Sequence, residues 1–398
     1  MQHHNAVTLA AIGVRMRSRG MSGRRFTRVA RAAWIAGAAV LALGAAGFGL
    51  AAMDRPDPRG PVEPLPVVYP TVRPEPPPVL AARLHGLAAA WGEPVGLAVK
   101  DVDQGWVVQV AGEQPYPQQS VSKLWVALAV LDAVDRGELA LDQEVVFEEA
   151  DRSVFFQPIV KQLGPAGYRT SVRELMLRAL AQSDNAANDK LIRTVGGVEA
   201  VDEPLRRLRL NGVGIGAEER DLQARIAGLT WRPEYGYGRN FQHARAALPE
   251  SVRLQAMDTY LAEPPDGASP LSIVQALSAI KRGEVLSPVS TEVMLAMMAE
   301  AVTGPNRLKG GLPFGWSIAH KTGTGQDLRG FSVGINDVGL LTAPDGRTYA
   351  VAVMMRRTAR PVPERLAFMQ SVSRAIAETW AAESGPAADL ASLPVAEE

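Results

Sequence analysis

The chain has 398 residues, of which 47% are hydrophobic, 5 are histidine and none is cysteine; that suffices for one large domain or two smaller ones around a sizeable core. The missing cysteines remove disulfides, thiol nucleophiles, thiolate metal sites and Cys-linked lipids, and no histidine pair in the body has metal-ligand spacing, so neither a metal nor another cofactor is expected. The formal net charge of zero hides an asymmetry: residues 1–53 hold no Asp or Glu but carry Arg15, Arg17, Arg19, Arg24, Arg25, Arg28 and Arg31, leaving 42 acids against 42 − 7 = 35 bases beyond them. An acidic body points away from a nucleic-acid partner.

Residues 1–31 form a basic leader, and residues 32–53 follow as 22 positions without a charge, long enough to span a bilayer core of about 30 Å as a helix. Arginines on the N-terminal side orient such a helix with the leader in the cytoplasm and the rest exported. An uncleaved inner-membrane anchor is the preferred reading. A signal peptide cut near Phe48-Gly49-Leu50-Ala51-Ala52 is the rival, which would leave a periplasmic or secreted protein. Residues 54–78 hold ten prolines and read as a stiff spacer. The globular body then covers 79–383, ahead of a small-residue, acidic tail at 384–398 that reads as disordered.

Periodicity predicts a helix over 80–91, strands over 94–102 and 106–110, and a helix over 120–136 stopped by Gly137. Ser120 and Lys123 stand three apart at its start and share one face. A desolvated lysine there can take a proton from the hydroxyl, and the helix N-terminus favours the developing anion. The plain alternative is a capping serine and a surface lysine. Helices follow over 171–182, 185–195, 198–207, 270–282 and 290–301. Between the first two, Ser183-Asp184-Asn185 reads either as a capped turn or as a functional loop. In the second case Ser183 protonates a leaving nitrogen, Asn185 bonds a substrate amide and Asp184 holds the loop. Strands return over 315–321, 331–341 and 348–356, with Asp345-Gly346 as a hairpin turn, and a final helix covers 363–380. Lys321-Thr322-Gly323-Thr324-Gly325 ends the first of these strands. Lys321 and Thr322 suit a carboxylate, Gly323 admits a substrate backbone, and the Thr324 and Ser120 amides can form an oxyanion hole; an edge strand leaving by a Gly-rich turn is the plain reading. Strands at both ends with helices between predict an α+β fold, an antiparallel sheet with flanking terminal helices interrupted by an all-α subdomain over about 140–288. The cleft between them is the natural site.

The ordered trio Ser120-Val121-Ser122-Lys123, Ser183-Asp184-Asn185 and Lys321-Thr322-Gly323 resembles the class A β-lactamase and penicillin-binding-protein signature. The flanking segments 117–128, 170–175, 183–188 and 303–310 resemble class A β-lactamase sequence too, so the similarity covers roughly residues 80–380. The resemblance implies a serine acyl-enzyme on Ser120. Deacylation in that family uses a Glu in an E-x-x-L-N motif on an Ω-shaped loop. Glu219-Arg220-Asp221-Leu222-Gln223 is similar, 219 − 183 = 36 residues past Ser183, with Gln223 where Asn is usual and Glu218 as a neighbouring rival. By the same resemblance Phe156 flanks the cleft entrance, while Arg329 either anchors a substrate carboxylate or is structural. One departure stands out. Pro270 comes 270 − 219 = 51 residues beyond Glu219, so about 224–268 is an insertion, containing Trp231, Tyr235, Tyr237 and Phe241. It is expected to be an elaborated surface loop supporting Glu219, with a substrate-contacting lid as the alternative. The expected activity is β-lactam hydrolysis by a monomer. The rivals are a D,D-peptidase on peptidoglycan stem peptides and a non-catalytic cell-wall-binding domain on the same fold.

Overall fold

The computed structural model describes residues 74–384. The basic leader, the apolar segment over 32–53, most of the proline-rich spacer and the tail from 385 lie outside the described residues. Among the described residues no helix is long and apolar enough to cross a membrane.

Helix α1 (Pro78–Trp91) opens on a proline in its first turn and closes on Gly92 in the left-handed region, the usual start and stop chemistry. It leads into β1 (Val95–Asp101), β2 (Val107–Val110) and the short β3 (Tyr116–Pro117). A 3-10 turn over Gln119–Ser122 then runs into α2 (Lys123–Asp135). Next come β4 (Glu144–Phe147), β5 (Tyr168–Ser171), α3 (Val172–Leu177), α4 (Asn185–Thr194), α5 (Val198–Arg207) and α6 (Glu219–Ile226). The inserted segment adds α7 (Asn240–Ala247), α8 (Glu250–Ala262) and β6 (Gly267–Ala268), followed by α9 (Pro270–Lys281) and α10 (Pro288–Ala299). The chain ends with β7 (Ser317–Gly323), β8 (Asp327–Leu328), β9 (Phe331–Thr342), β10 (Thr348–Thr358) and α11 (Val362–Ser384).

The main sheet has the order β2-β1-β10-β9-β7, all antiparallel, with β8 added on β9. Strands from both ends of the chain meet at β1 and β10, in register from Val95↔Met355 to Asp101↔Tyr349. One sheet face packs α1 and α11 around Leu84, Trp91, Val351, Met369 and Ile376. The other joins the helical layer around α2, which is buried on all sides with Trp125 and Leu128 at its centre; a helix apolar all round is what a core position requires. The predicted antiparallel sheet with flanking terminal helices is observed, most element ends moving by one to three residues, but the intervening stretch is not all-α, since β4 pairs with β5 and β6 with β3.

Three local expectations change. The predicted helix over 120–136 starts as α-helix only at Lys123, because Ser120 lies in the tighter 3-10 turn. The predicted helix over 171–182 breaks after Leu177 into a π turn over Arg178–Gln182 that delivers Ser183 at φ 63°; the extra residue per turn reorients the chain at the motif. The insertion is not a loop but two packed helices, because Met257 and Tyr260 of α8 bury against Leu222 and Ile226 of α6.

Candidate active site

β7 and the Ser120 turn meet edge to face. A Cβ at Gly323 would collide with the Gln118 carbonyl oxygen and crowd the Asn336 amide, so only glycine lets the Lys321-Thr322-Gly323 strand lie this close to the Ser120 turn. Asn336, opposite Gly323 on β9, donates to the carbonyls of Pro117 (2.7 Å) and Gln118 (3.0 Å) and ties the two together. Beside them opens a cavity of about 520 Å³ lined in part by Ser120, Ser183, Asn185, Glu219, Gln223 and Thr322.

Lys123 donates from Nζ to Ser120 Oγ at 2.9 Å and also contacts Glu219 Oε1, both side chains of that ion pair being buried. On the other side of the cleft Lys321 Nζ donates to Ser183 Oγ at 2.9 Å and to the Thr322 carbonyl at 3.1 Å. Full burial, reinforced by the nearby Lys123 charge, holds Lys321 well below the usual lysine range. Asp184 caps α4 through the Ala187 amide (3.0 Å) and accepts from the Ile159 amide (2.7 Å), while burial raises its carboxyl above the ordinary range. Asn185 is aimed by its Nδ2 bond to the Val154 carbonyl at 2.9 Å. Phe156 is exposed on the cavity rim.

Glu219, the first residue of α6, is fixed by its own backbone: the Asp189 carboxylate accepts from the Glu219 amide at 2.7 Å and the Arg220 amide at 3.2 Å. An acid at a helix start is well placed, yet burial and the adjacent Glu219 push Asp189 up to about 7. Gln223, one turn on, donates from Nε2 to Gln119 Oε1 (2.8 Å) and Glu219 Oε2 (3.3 Å) and accepts from Gln326 Nε2 at 3.0 Å. Gln119 in turn donates to Tyr260 Oη at 2.5 Å, and Tyr260 donates to Asp266 Oδ1 at 2.9 Å. Asp266 closes the circuit by accepting from the Gln119 amide at 2.7 Å. Gln119 itself sits at φ 52° directly before Ser120. That conformation costs a non-glycine residue of order 1 kcal/mol or more, and the two bonds to Asp266 and Tyr260 hold it there.

Two alternatives that the sequence leaves open lie away from the cleft. Arg329 does not line the cleft: at φ 50° it forms one corner of the β8–β9 turn and pairs with Glu250 at 2.7 Å in solvent, so nothing aims it at a bound carboxylate. Glu218 precedes α6 at the N-cap position without a capping bond, pairs with Arg193 and Arg220, and is not among the residues lining the cavity.

The profile of the beta-lactamase enzyme family matches residues 79–380. The chain belongs to that family. It resembles the class A members: beta-lactamase VEB-1 of Pseudomonas aeruginosa is 26% identical over 276 residues, 69% of this chain and 82% of that protein. Extended-spectrum beta-lactamase PER-1 of the same species is 28% identical over 283 residues, covering 71% and 81% respectively. Among solved structures, a beta-lactamase from Chitinophaga pinensis DSM 2588 superposes with a TM-score of 0.62 at 28% identity, over 76% of this chain and 99% of that one. As a β-lactamase-family enzyme the chain shows several cleft residues that motif reading passed over. Arg307 donates to the carbonyls of Gly323 (2.9 Å) and Asn336 (2.6 Å) and to Thr324 Oγ1 (2.6 Å). It stands in the Thr303-Gly304-Pro305-Asn306-Arg307 run whose likeness to the family was visible without suggesting its place. Gln119, Asp189, Tyr260 and Asp266 carried no sequence signal, since each matters only through a partner distant in the chain.

Proposed function

We propose that this class A-like enzyme opens β-lactam rings through an acyl-enzyme on Ser120. One observation carries the reading: a single buried lysine amine, Lys123 Nζ, touches both the Ser120 hydroxyl and the Glu219 carboxylate. Ser120 Oγ attacks the lactam carbonyl carbon, its proton leaving to Lys123 or to Glu219 through water. The Ser120 and Thr324 amides hold the oxyanion, where one donor is worth about 3 kcal/mol. The carbon–nitrogen bond breaks and the nitrogen takes a proton from Ser183, which Lys321 orients; the proton that left Ser120 is passed on to Ser183, so that Glu219 is again a carboxylate. Lys321, Thr322 and, through Thr324, Arg307 receive the ring carboxylate; Asn185 meets the acyl amide. Water placed by Glu219 and Gln223 then attacks the ester carbonyl, giving its proton to Glu219, and Ser120 departs with a proton restored.

The sequence of residues 15–53 supports an exported protein, held at the inner membrane by 32–53 or released after cleavage. The acylation half of the reading is tested by incubating the protein with benzylpenicillin and locating any covalent adduct by peptide mass mapping. Modification at Ser120 with release of hydrolysed penicillin is expected. A stable adduct without release identifies a penicillin-binding peptidase, and no adduct contradicts the acyl-enzyme itself.

A further inference from the structure

One cation in the cleft has no part in the cycle above. Arg245 lies on α7, inside the insertion, and lines the same cavity as Ser120 and Glu219. Its Nη2 donates to the Asp327 carbonyl at 2.7 Å, and its Nε is buried with no partner. Among the described residues its guanidinium forms no ion pair. The charges around it are Arg253, whose Nε is likewise buried and unpartnered, and Asp327, whose carboxylate is taken up by Ser332. Burial, with Arg253 adding to it, holds Arg245 below the usual arginine range. A half-buried guanidinium short of negative charge gains more from an arriving anion than a solvated one does.

Its position says which anion. Following the chain out of β7, Lys321 faces Ser183, Thr324 faces Arg307, Gln326 faces Gln223 and Asp327 faces Arg245. At about 3.3 Å per extended residue, the step from Lys321 to Asp327 reaches up to roughly 20 Å. Lys321 bonds Ser183 and the Thr322 carbonyl, whereas Arg245 bonds the Asp327 carbonyl, so the two cations are tied to different residues of the cleft wall. With a lactam's ring carboxylate at Lys321 and Thr322 and its acyl amide at Asn185, Gln326, Asp327 and Arg245 are among the lining residues left open to its acyl substituent. The insertion also buttresses the rim there: Phe241 of α7 packs edge-on against Phe155 at 5.0 Å, and Phe155 lines the cavity.

We propose that Arg245 recognises an anionic group on the acyl substituent, so that the enzyme selects β-lactams whose acyl side chain carries a carboxylate. The inference rests on the hydrolase reading. Its test uses two penicillins that differ by one carboxylate, benzylpenicillin and its α-carboxy derivative carbenicillin, with steady-state kinetics on the wild type, Arg245→Ala and Arg245→Lys. The ratio of kcat/KM for carbenicillin to that for benzylpenicillin should fall about tenfold in Arg245→Ala, carried mainly by KM, and Arg245→Lys should restore part of it. Raising the salt concentration should lower the wild-type ratio and leave that of Arg245→Ala nearly flat. An unchanged ratio in Arg245→Ala overturns the proposal, as does an equal loss on both penicillins, which marks a structural role; thermal melting of the variants separates that case from unfolding. Hydrolysis of neither penicillin by the wild type contradicts the hydrolase reading instead, and the subsite falls with it.

Discussion

The two sides of the cleft are built differently. At the Lys321 side the contacts are direct, Lys321 on Ser183 and Asp184 on its own helix start, and between the two sides Lys123 meets Ser120. At the Glu219 side, position depends on a relay, with Glu219 leaning on Gln223, Gln223 on Gln119 and Gln326, and Gln119 on Tyr260 and Asp266. The first side holds the groups assigned to making the acyl-enzyme and the second those assigned to breaking it. A direct contact survives change elsewhere, whereas a relay transmits it. Deacylation is therefore where changes remote from the substrate should register.

The comparison breaks most completely at Ser120, the proposed nucleophile. Ser120→Ala should abolish adduct formation and lower turnover by on the order of 10⁵-fold or more, checked by β-lactam hydrolysis assays; residual turnover within tenfold of wild type would remove Ser120 from the chemistry. With Lys123 as the acylation base, Glu219→Gln should separate the two sides, leaving acylation within a few-fold while slowing ester hydrolysis by roughly 10²–10⁴-fold, seen in stopped-flow single turnovers. Tyr260→Phe removes one hydroxyl far from the substrate. Losing a buried hydrogen bond of about 1 kcal/mol should cut kcat by about three- to tenfold through slower deacylation, with KM falling alongside and the acylation rate unchanged. An equal loss of both rates would show that the relay serves the fold and not Glu219.

The smallest effect concerns stability. Burial pushes Asp266 up to about 7 from an ordinary 3.8. Between those values the folded chain holds a proton at Asp266 that the unfolded chain has lost, so the stability linked to it is complete below about pH 4 and is lost as pH rises through 7. Asp266→Asn should flatten part of the decline in Tm between about pH 4 and 7, and Asp189, also held near 7, should leave the rest. A slope identical to wild type would contradict this assignment.

The same contrast explains what was legible in the sequence. The sheet, its helical interruption and the Lys321 side were readable because their determinants are local: continuous apolar strand runs, capping serines, and motifs whose members stand within four residues of one another. Ser120 and Lys123 needed only three residues of spacing to be paired. Tyr260 is 141 residues from Gln119, and nothing in the run Thr259-Tyr260-Leu261 marks one hydroxyl as turned inward. The insertion read as a loop because its glycines and arginines mask two short helices, whose apolar faces make sense only against Leu222 and Ile226 of α6. Arg329 drew attention for its charge, but the two-residue turn it occupies points it at Glu250. Arg307, the arginine that does reach Thr324, was hidden in a run notable for its glycine and proline.

The division of labour between the two sides is tested most directly by time-resolved intact-mass spectrometry of the wild type, Glu219→Gln and Tyr260→Phe mixed with benzylpenicillin. The account predicts a brief adduct in the wild type, a lasting one in Glu219→Gln and one of intermediate lifetime in Tyr260→Phe, all formed at similar rates. Equal adduct lifetimes in all three proteins would contradict it.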